Sequence, residues 1–172
     1  MDMTGERRIA APKAAVWAAL NDPEVLRESI PGCQSLEKVS DTEFKAVATL
    51  AIGPMKATFH GGVTLSDIDA PNSYRISGQG QGGAVGFAKG HADVKLAEDG
   101  DGTLLSYVVK ADIGGKLAQL GSRLIDATAK KLAGEFFDSF SEVVAPTQGD
   151  DADESKVRKK GIWKRLFGKK DA

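Results

Sequence analysis

The chain has 172 residues, 41% of them hydrophobic, which suits one cored domain with appendages. The single Cys33 excludes an intrachain disulfide framework. No apolar run approaches the roughly 18 residues of a membrane span, and the start MDMTGERRIAA lacks the apolar core of a signal peptide, so a cytoplasmic protein is expected. The net charge of −1 conceals an asymmetry, with 15 Lys+Arg against 19 Asp+Glu in residues 1–148 and 8 against 5 in residues 149–172. An acidic body argues against a non-specific nucleic-acid role.

In chain order, Thr4–Ala10 reads as a first strand. Pro12 suits the opening of a helix, and AAVWAAL (14–20) is helical in composition. Asn21 or Asp22 can cap a second short helix, with Pro23 near its first position. That helix ends before the Pro31-Gly32 turn signal. From Ser35 to Ile113 the pattern has period two. One parity holds Phe44, Ala46, Ala48, Leu50 and Ile52, then Met55, Ala57, Phe59, Gly61, Val63 and Leu65. It continues as Tyr74, Ile76, Gly78 and Gly80, then Ala88, Gly90, Ala92, Val94 and Leu96, then Leu105, Tyr107, Val109, Ala111 and Ile113. The other parity is polar, as in an antiparallel meander with one wet face. Turn residues at Gly53-Pro54, Pro71-Asn72, Gly82-Gly83 and Asp99–Gly102 separate the strands. From Gly114 to Val144, apolar residues at helical spacing (Leu117, Leu120, Leu124, Leu132, Phe136, Phe140, Val143) predict one long helix. The whole predicts an α+β fold, a curved antiparallel sheet of about seven strands wrapped on a long C-terminal helix, with two short helices after the first strand.

The inward parity is rich in alanine and glycine. Opposite a helix stripe of Leu and Phe, this resolves in two ways. Either the helix packs very close to the sheet, or a space stays open for an apolar ligand. Glycines can also serve to bend strongly coiled strands. Acid–base or nucleophilic chemistry needs titratable groups in such a cavity, and the inward strand positions offer only Tyr74 and Tyr107. Arg27, Glu28 and Arg123 lie near helix ends and read as solvated charges or as residues at a cavity mouth. A lining this poor in chemistry favours binding over catalysis.

Three signals are set aside. Gly78–Gly83 matches the G-x-G-x-x-G string, but a dinucleotide site needs a helix at the third glycine, and Ala84–Leu96 alternates like a strand. His60 and His91 fall on the outward parity, and with one cysteine no three-ligand zinc set is evident. Cys33 reads as a small buried residue rather than a nucleophile.

Residues 146–155 read as a flexible acidic linker and 156–172 as a basic tail. In the tail, Ile162, Trp163, Leu166 and Phe167 form one helical stripe among Lys160, Lys164, Arg165, Lys169 and Lys170. This is the composition of an interfacial membrane anchor; a solubilising tail and a partner-docking helix are the rival readings.

Four stretches carry a resemblance: VWAALNDPEVLRESIPGCQSLEK (16–38), IGPMKATFHG (52–61), GGAVGFAKGHADVKL (82–96) and ADIGGKLAQLGSRLIDATAKKLAGEFF (111–137). The element order resembles the START-like (SRPBCC) helix-grip superfamily, whose members hold hydrophobic ligands between a curved sheet and a C-terminal helix. More narrowly, the chain resembles the CoxG family of carbon monoxide dehydrogenase over roughly Met3–Phe140. That resemblance implies a START-like ligand-binding domain over residues 1–145 and a non-catalytic accessory role. It implies a partner, carbon monoxide dehydrogenase or a related molybdenum hydroxylase, at the cytoplasmic membrane face. It also implies coupling to the quinone pool through a non-covalent menaquinone or similar isoprenoid lipid, with no metal or covalent cofactor in this protein. Two other readings remain, a cyclase- or hydrolase-type START-like enzyme and a ligand-free structural anchor. From parity and helix periodicity the expected cavity residues are Trp17, Leu50, Met55, Phe59, Tyr74, Phe87, Tyr107, Leu117, Leu120, Leu124 and Phe136.

Overall fold

The computed structural model describes residues 1–145. The linker and tail readings, with Lys160, Ile162, Trp163, Lys164, Arg165, Leu166, Phe167, Lys169 and Lys170, lie outside the described residues.

The chain opens with β1 (Asp2–Ile9), followed by two short helices, α1 (Lys13–Leu20) and α2 (Pro23–Ser29). The Asp22 carboxylate accepts from the backbone N–H groups of Glu24 and Val25, and Pro23 occupies the first turn of α2. Capping and proline placement thus act as the sequence predicts. Six strands follow: β2 (Cys33–Ser40), β3 (Glu43–Ile52), β4 (Met55–Asp69), β5 (Ser73–Gln81), β6 (Phe87–Asp99) and β7 (Gly102–Gly114). They pair in the order β1-β7-β6-β5-β4-β3-β2, and each neighbouring pair is antiparallel. This is the helix-grip fold, with seven strands as expected.

The glycines on the inner face mainly permit close strand approach. A Cβ on Gly61 would collide with the Gln79 carbonyl, and one on Gly90 with the Lys110 carbonyl. The sheet coils tightly here, and only residues without side chains fit.

The last element departs from expectation. Gly114–Val144 is not one helix. β7 runs to Gly114, where it still pairs with Phe87. A 3-10 segment, Gly115–Leu120, follows, and the α-helix α3 is Ser122–Val144. Gly115 and Gly121 take φ of +76° and +94°, outside any right-handed helix. Its 23 residues make α3 about 35 Å long.

α3 is held at one end. Phe140, Val143 and Val144 are buried, in one cluster with Ile9, Val16, Val25 and Leu105. The Arg7 guanidinium of β1 pairs with Asp138 beside them. The N-terminal half of α3 buries no residue, and the inward positions opposite it are at most half-buried.

A candidate apolar ligand cavity

The strand register builds the cavity floor in rows. One row runs across four strands as Tyr74, Val94, Tyr107 and Gly5. The next runs as Leu65, Ile76, Ala92, Val109 and Met3. Because inward residues recur at every second position, both rows face the same side of the sheet. Leu36, Phe44 and Val63 form one flank and Leu105 closes the floor. Leu20 of α1, Leu26 of α2, Ile30 just after it, and Ala133, Phe136 and Phe137 of α3 form the roof. Together they enclose about 280 Å³, near the lower end of small-molecule pockets.

Burial is graded along this space. Leu20, Tyr74, Val94 and Leu105 are buried at one end. Ile76, Ala92 and Val109 are half-buried, as are Gly78, Gly90 and Ala111 in the row beyond. The blind end therefore lies beneath the anchored end of α3. The open side faces the small-residue rows and the half of α3 that buries nothing. The alanine- and glycine-rich patch is thus not the cavity floor but the shallower track leading away from it.

Aromatic side chains shape the blind end. Trp17 tilts against Tyr74, with ring centroids 4.9 Å apart. Tyr107 stacks on Phe137 at 5.5 Å, and Phe136 meets Phe137 edge-on at 5.0 Å and stacks on Phe140 at 5.5 Å. Tyr107 fits because Gly5 has no side chain; a Cβ there would overlap the tyrosine ring. Burial pushes the Tyr74 hydroxyl well above the ordinary tyrosine range. No lining residue carries a charge.

Of the eleven residues expected on the wall, the structure brings Tyr74, Tyr107 and Phe136 together. The other eight lie off this cavity. Trp17 stands behind Tyr74. Leu50 and Met55 sit half-buried at the far β3–β4 hairpin, and Phe59 lies against Gly82. The Phe87 ring covers Gly114. Leu117 is buried in the 3-10 segment, Leu120 ends it half-buried, and Leu124 rests on Gly53. Helical periodicity placed the last three on a stripe that the break at Gly115–Gly121 removes. The missed residues include Val63, Leu65, Ile76, Ala92, Val94, Leu105 and Val109, all of the inward parity. The signal that finds them is the end of each strand with bulky inward residues, opposite the aromatic end of α3.

The features set aside stay apart from the cavity. Gly83–Val85 is a single 3-10 turn leading into β6, so no helix starts at the glycine string. Cys33 is half-buried rather than buried, and partial desolvation raises its thiol despite nearby Arg27. That disfavours the thiolate. Arg27, Glu28 and Arg123 are exposed and off the wall. On the outer face Arg75 grips Asp93 through two hydrogen bonds of 2.8 and 3.0 Å, which holds the Asp93 carboxyl below its usual range.

The fold recurs in solved structures. A conserved protein from Geobacillus kaustophilus superposes with a TM-score of 0.80 at 29% identity, covering 84% of this chain and 95% of its own. A Thermus thermophilus protein gives 0.61 at 16% identity, covering 83% of this chain and 95% of its own. A Chromobacterium violaceum protein gives 0.66 at 15% identity, covering 85% of this chain and 98% of its own. The latter two likenesses show the fold alone. Comparison with curated protein sequences gives no significant match. The family model described as the carbon monoxide dehydrogenase subunit CoxG matches residues 5–145, the whole helix-grip domain, and the chain belongs to that family.

Proposed function

We propose that this protein is a non-catalytic carrier that takes an isoprenoid quinone of the menaquinone type from the cytoplasmic face of the membrane. It presents the quinone to a molybdenum-containing carbon monoxide dehydrogenase or a related molybdenum hydroxylase, which supplies the redox cofactors. The observation that carries this reading is the cavity of about 280 Å³, walled by 18 residues of which none is charged. Such a space suits a ring and the start of a chain, with the rest of the chain along the open side. An unfilled interior favours carriage over a purely structural anchor. A wall whose polar side-chain atoms are two tyrosine hydroxyls favours carriage over acid–base catalysis. The family supplies the partner, since its name attaches it to carbon monoxide dehydrogenase.

The membrane part of the proposal rests on the sequence of the tail. Each lysine or arginine near an anionic surface contributes about 1 kcal/mol, and the Ile162, Trp163, Leu166 and Phe167 stripe adds apolar insertion.

Native mass spectrometry of the full chain purified from membranes tests the carrier reading. A co-purifying isoprenoid quinone is expected, and an empty protein refutes it. Deleting Lys156–Ala172 is expected to abolish flotation with liposomes of anionic phospholipid. Unchanged flotation refutes the anchor.

A further inference from the structure

The two polar side-chain atoms on the cavity wall are not equivalent. Tyr74 and Tyr107 share one register row, separated by Val94, so their backbones stand about 10 Å apart. Tyr107 is half-buried, with its hydroxyl over Gly5 on the edge strand β1, where water can serve it. Tyr74 is 4% exposed, its ring fixed against Trp17 at the blind end. Its hydroxyl has no hydrogen-bond partner among the described residues. Buried tyrosine hydroxyls ordinarily find one. The Ser141 hydroxyl is also buried and unpartnered, but it lies off the cavity wall.

We infer that Tyr74 is the polar anchor of this cavity: its hydroxyl hydrogen-bonds an oxygen of the ligand's head group, so the site selects an apolar molecule with an oxygen-bearing head, bound head-first. The inference rests on the carrier reading and adds orientation and selectivity to it. A hydrocarbon of the same shape leaves the hydroxyl unpartnered and binds less well. The chain then leaves along the open side, over the Gly78–Gly90–Ala111 row. A tyrosine hydroxyl can both donate and accept. It can therefore donate to the carbonyl of a quinone and accept from the hydroxyl of the reduced quinol, so one residue serves both redox states. Burial keeps the proton on Tyr74, which preserves the donor.

The test uses the full chain with Trp163→Phe, so that tryptophan emission comes from Trp17 beside Tyr74. The probes are menadione, which has two ring carbonyls, and 2-methylnaphthalene, which has none. Menadione is measured by quenching and 2-methylnaphthalene by competition. Tyr74→Phe is expected to weaken menadione binding about three- to tenfold, leave 2-methylnaphthalene unchanged, and melt no lower than the parent. The infrared carbonyl band of bound menadione is expected at lower frequency in the parent and to return upward in the variant. Tyr107→Phe is expected to lose less. Unchanged menadione affinity and band in Tyr74→Phe, equal loss of both probes, a larger loss in Tyr107→Phe, or a markedly lower melting point overturns the anchor and leaves the carrier reading standing. A parent protein that binds neither probe overturns both.

Discussion

Ala133→Phe is expected to abolish quinone co-purification and to lower menadione affinity more than tenfold, while the protein still folds. Ala133 is the small residue in the α3 part of the roof, and the Ile76–Ala92–Val109 row passes through the floor. A benzyl group there has unfilled space to enter. Forcing extra methylenes into a packed core costs about 1–3 kcal/mol, because neighbours must leave their rotamers; most of that cost is avoided where the neighbours are already absent. The exchange of helix propensity is a few tenths of a kcal/mol. The same substitution one residue earlier, Leu132→Phe, is the control, since Leu132 is half-buried on α3 and does not line the cavity. Binding and thermal melts on both variants separate the alternatives. An Ala133→Phe protein that melts normally and still carries its full complement of quinone shows that the ligand sits elsewhere.

The alternation of strands β3–β7 gave the inward parity of the sheet residues on the cavity wall, because a residue's face in a strand depends only on odd or even position. Tyr74 and Tyr107 were found that way. Parity cannot say which end of a coiled strand lies under the helix. That depends on where α3 begins, and Gly115 and Gly121 decide it. Apolar spacing runs through both glycines as if they were helical, so Leu117, Leu120 and Leu124 join a stripe that does not exist. Read as punctuation, two glycines six residues apart would have moved the helix start to Ser122 and the cavity toward Phe136 and Phe137. The small inward residues misled for a related reason. Gly61 and Gly90 are small because neighbouring strands crowd them, and crowding of backbones leaves the same residue signature as room for a ligand. The roof residues Leu20, Leu26 and Ile30 come from α1, α2 and the turn after it. Two short helices have no periodicity long enough to reveal which face they turn inward.

Phe140→Ala and Leu124→Ala, both large-to-small changes on α3, are expected to differ sharply in cost. Phe140 is 0% exposed within the main core, packed in one cluster with Ile9, Val16, Val25 and Leu105. Emptying such a site typically costs about 3–5 kcal/mol, the lost transfer energy plus the cavity left behind. Domains of this size have only about 5–15 kcal/mol in all. Leu124 is half-buried and rests on the β3–β4 turn at Gly53, so its truncation is expected to cost about 1 kcal/mol. In urea titrations the Phe140→Ala midpoint should fall by several times the Leu124→Ala shift, with similar slopes. At about 3 °C per kcal/mol the corresponding losses in melting temperature are about 10 °C and about 3 °C. Phe140 also stacks on Phe136, part of the cavity roof, so the same variant should lose menadione binding even at temperatures where it stays folded. Equal destabilisation by the two substitutions would mean that α3 is held along its whole length. The N-terminal half of the helix would then close over the small-residue rows, and the open side through which a lipid chain leaves the cavity would not exist.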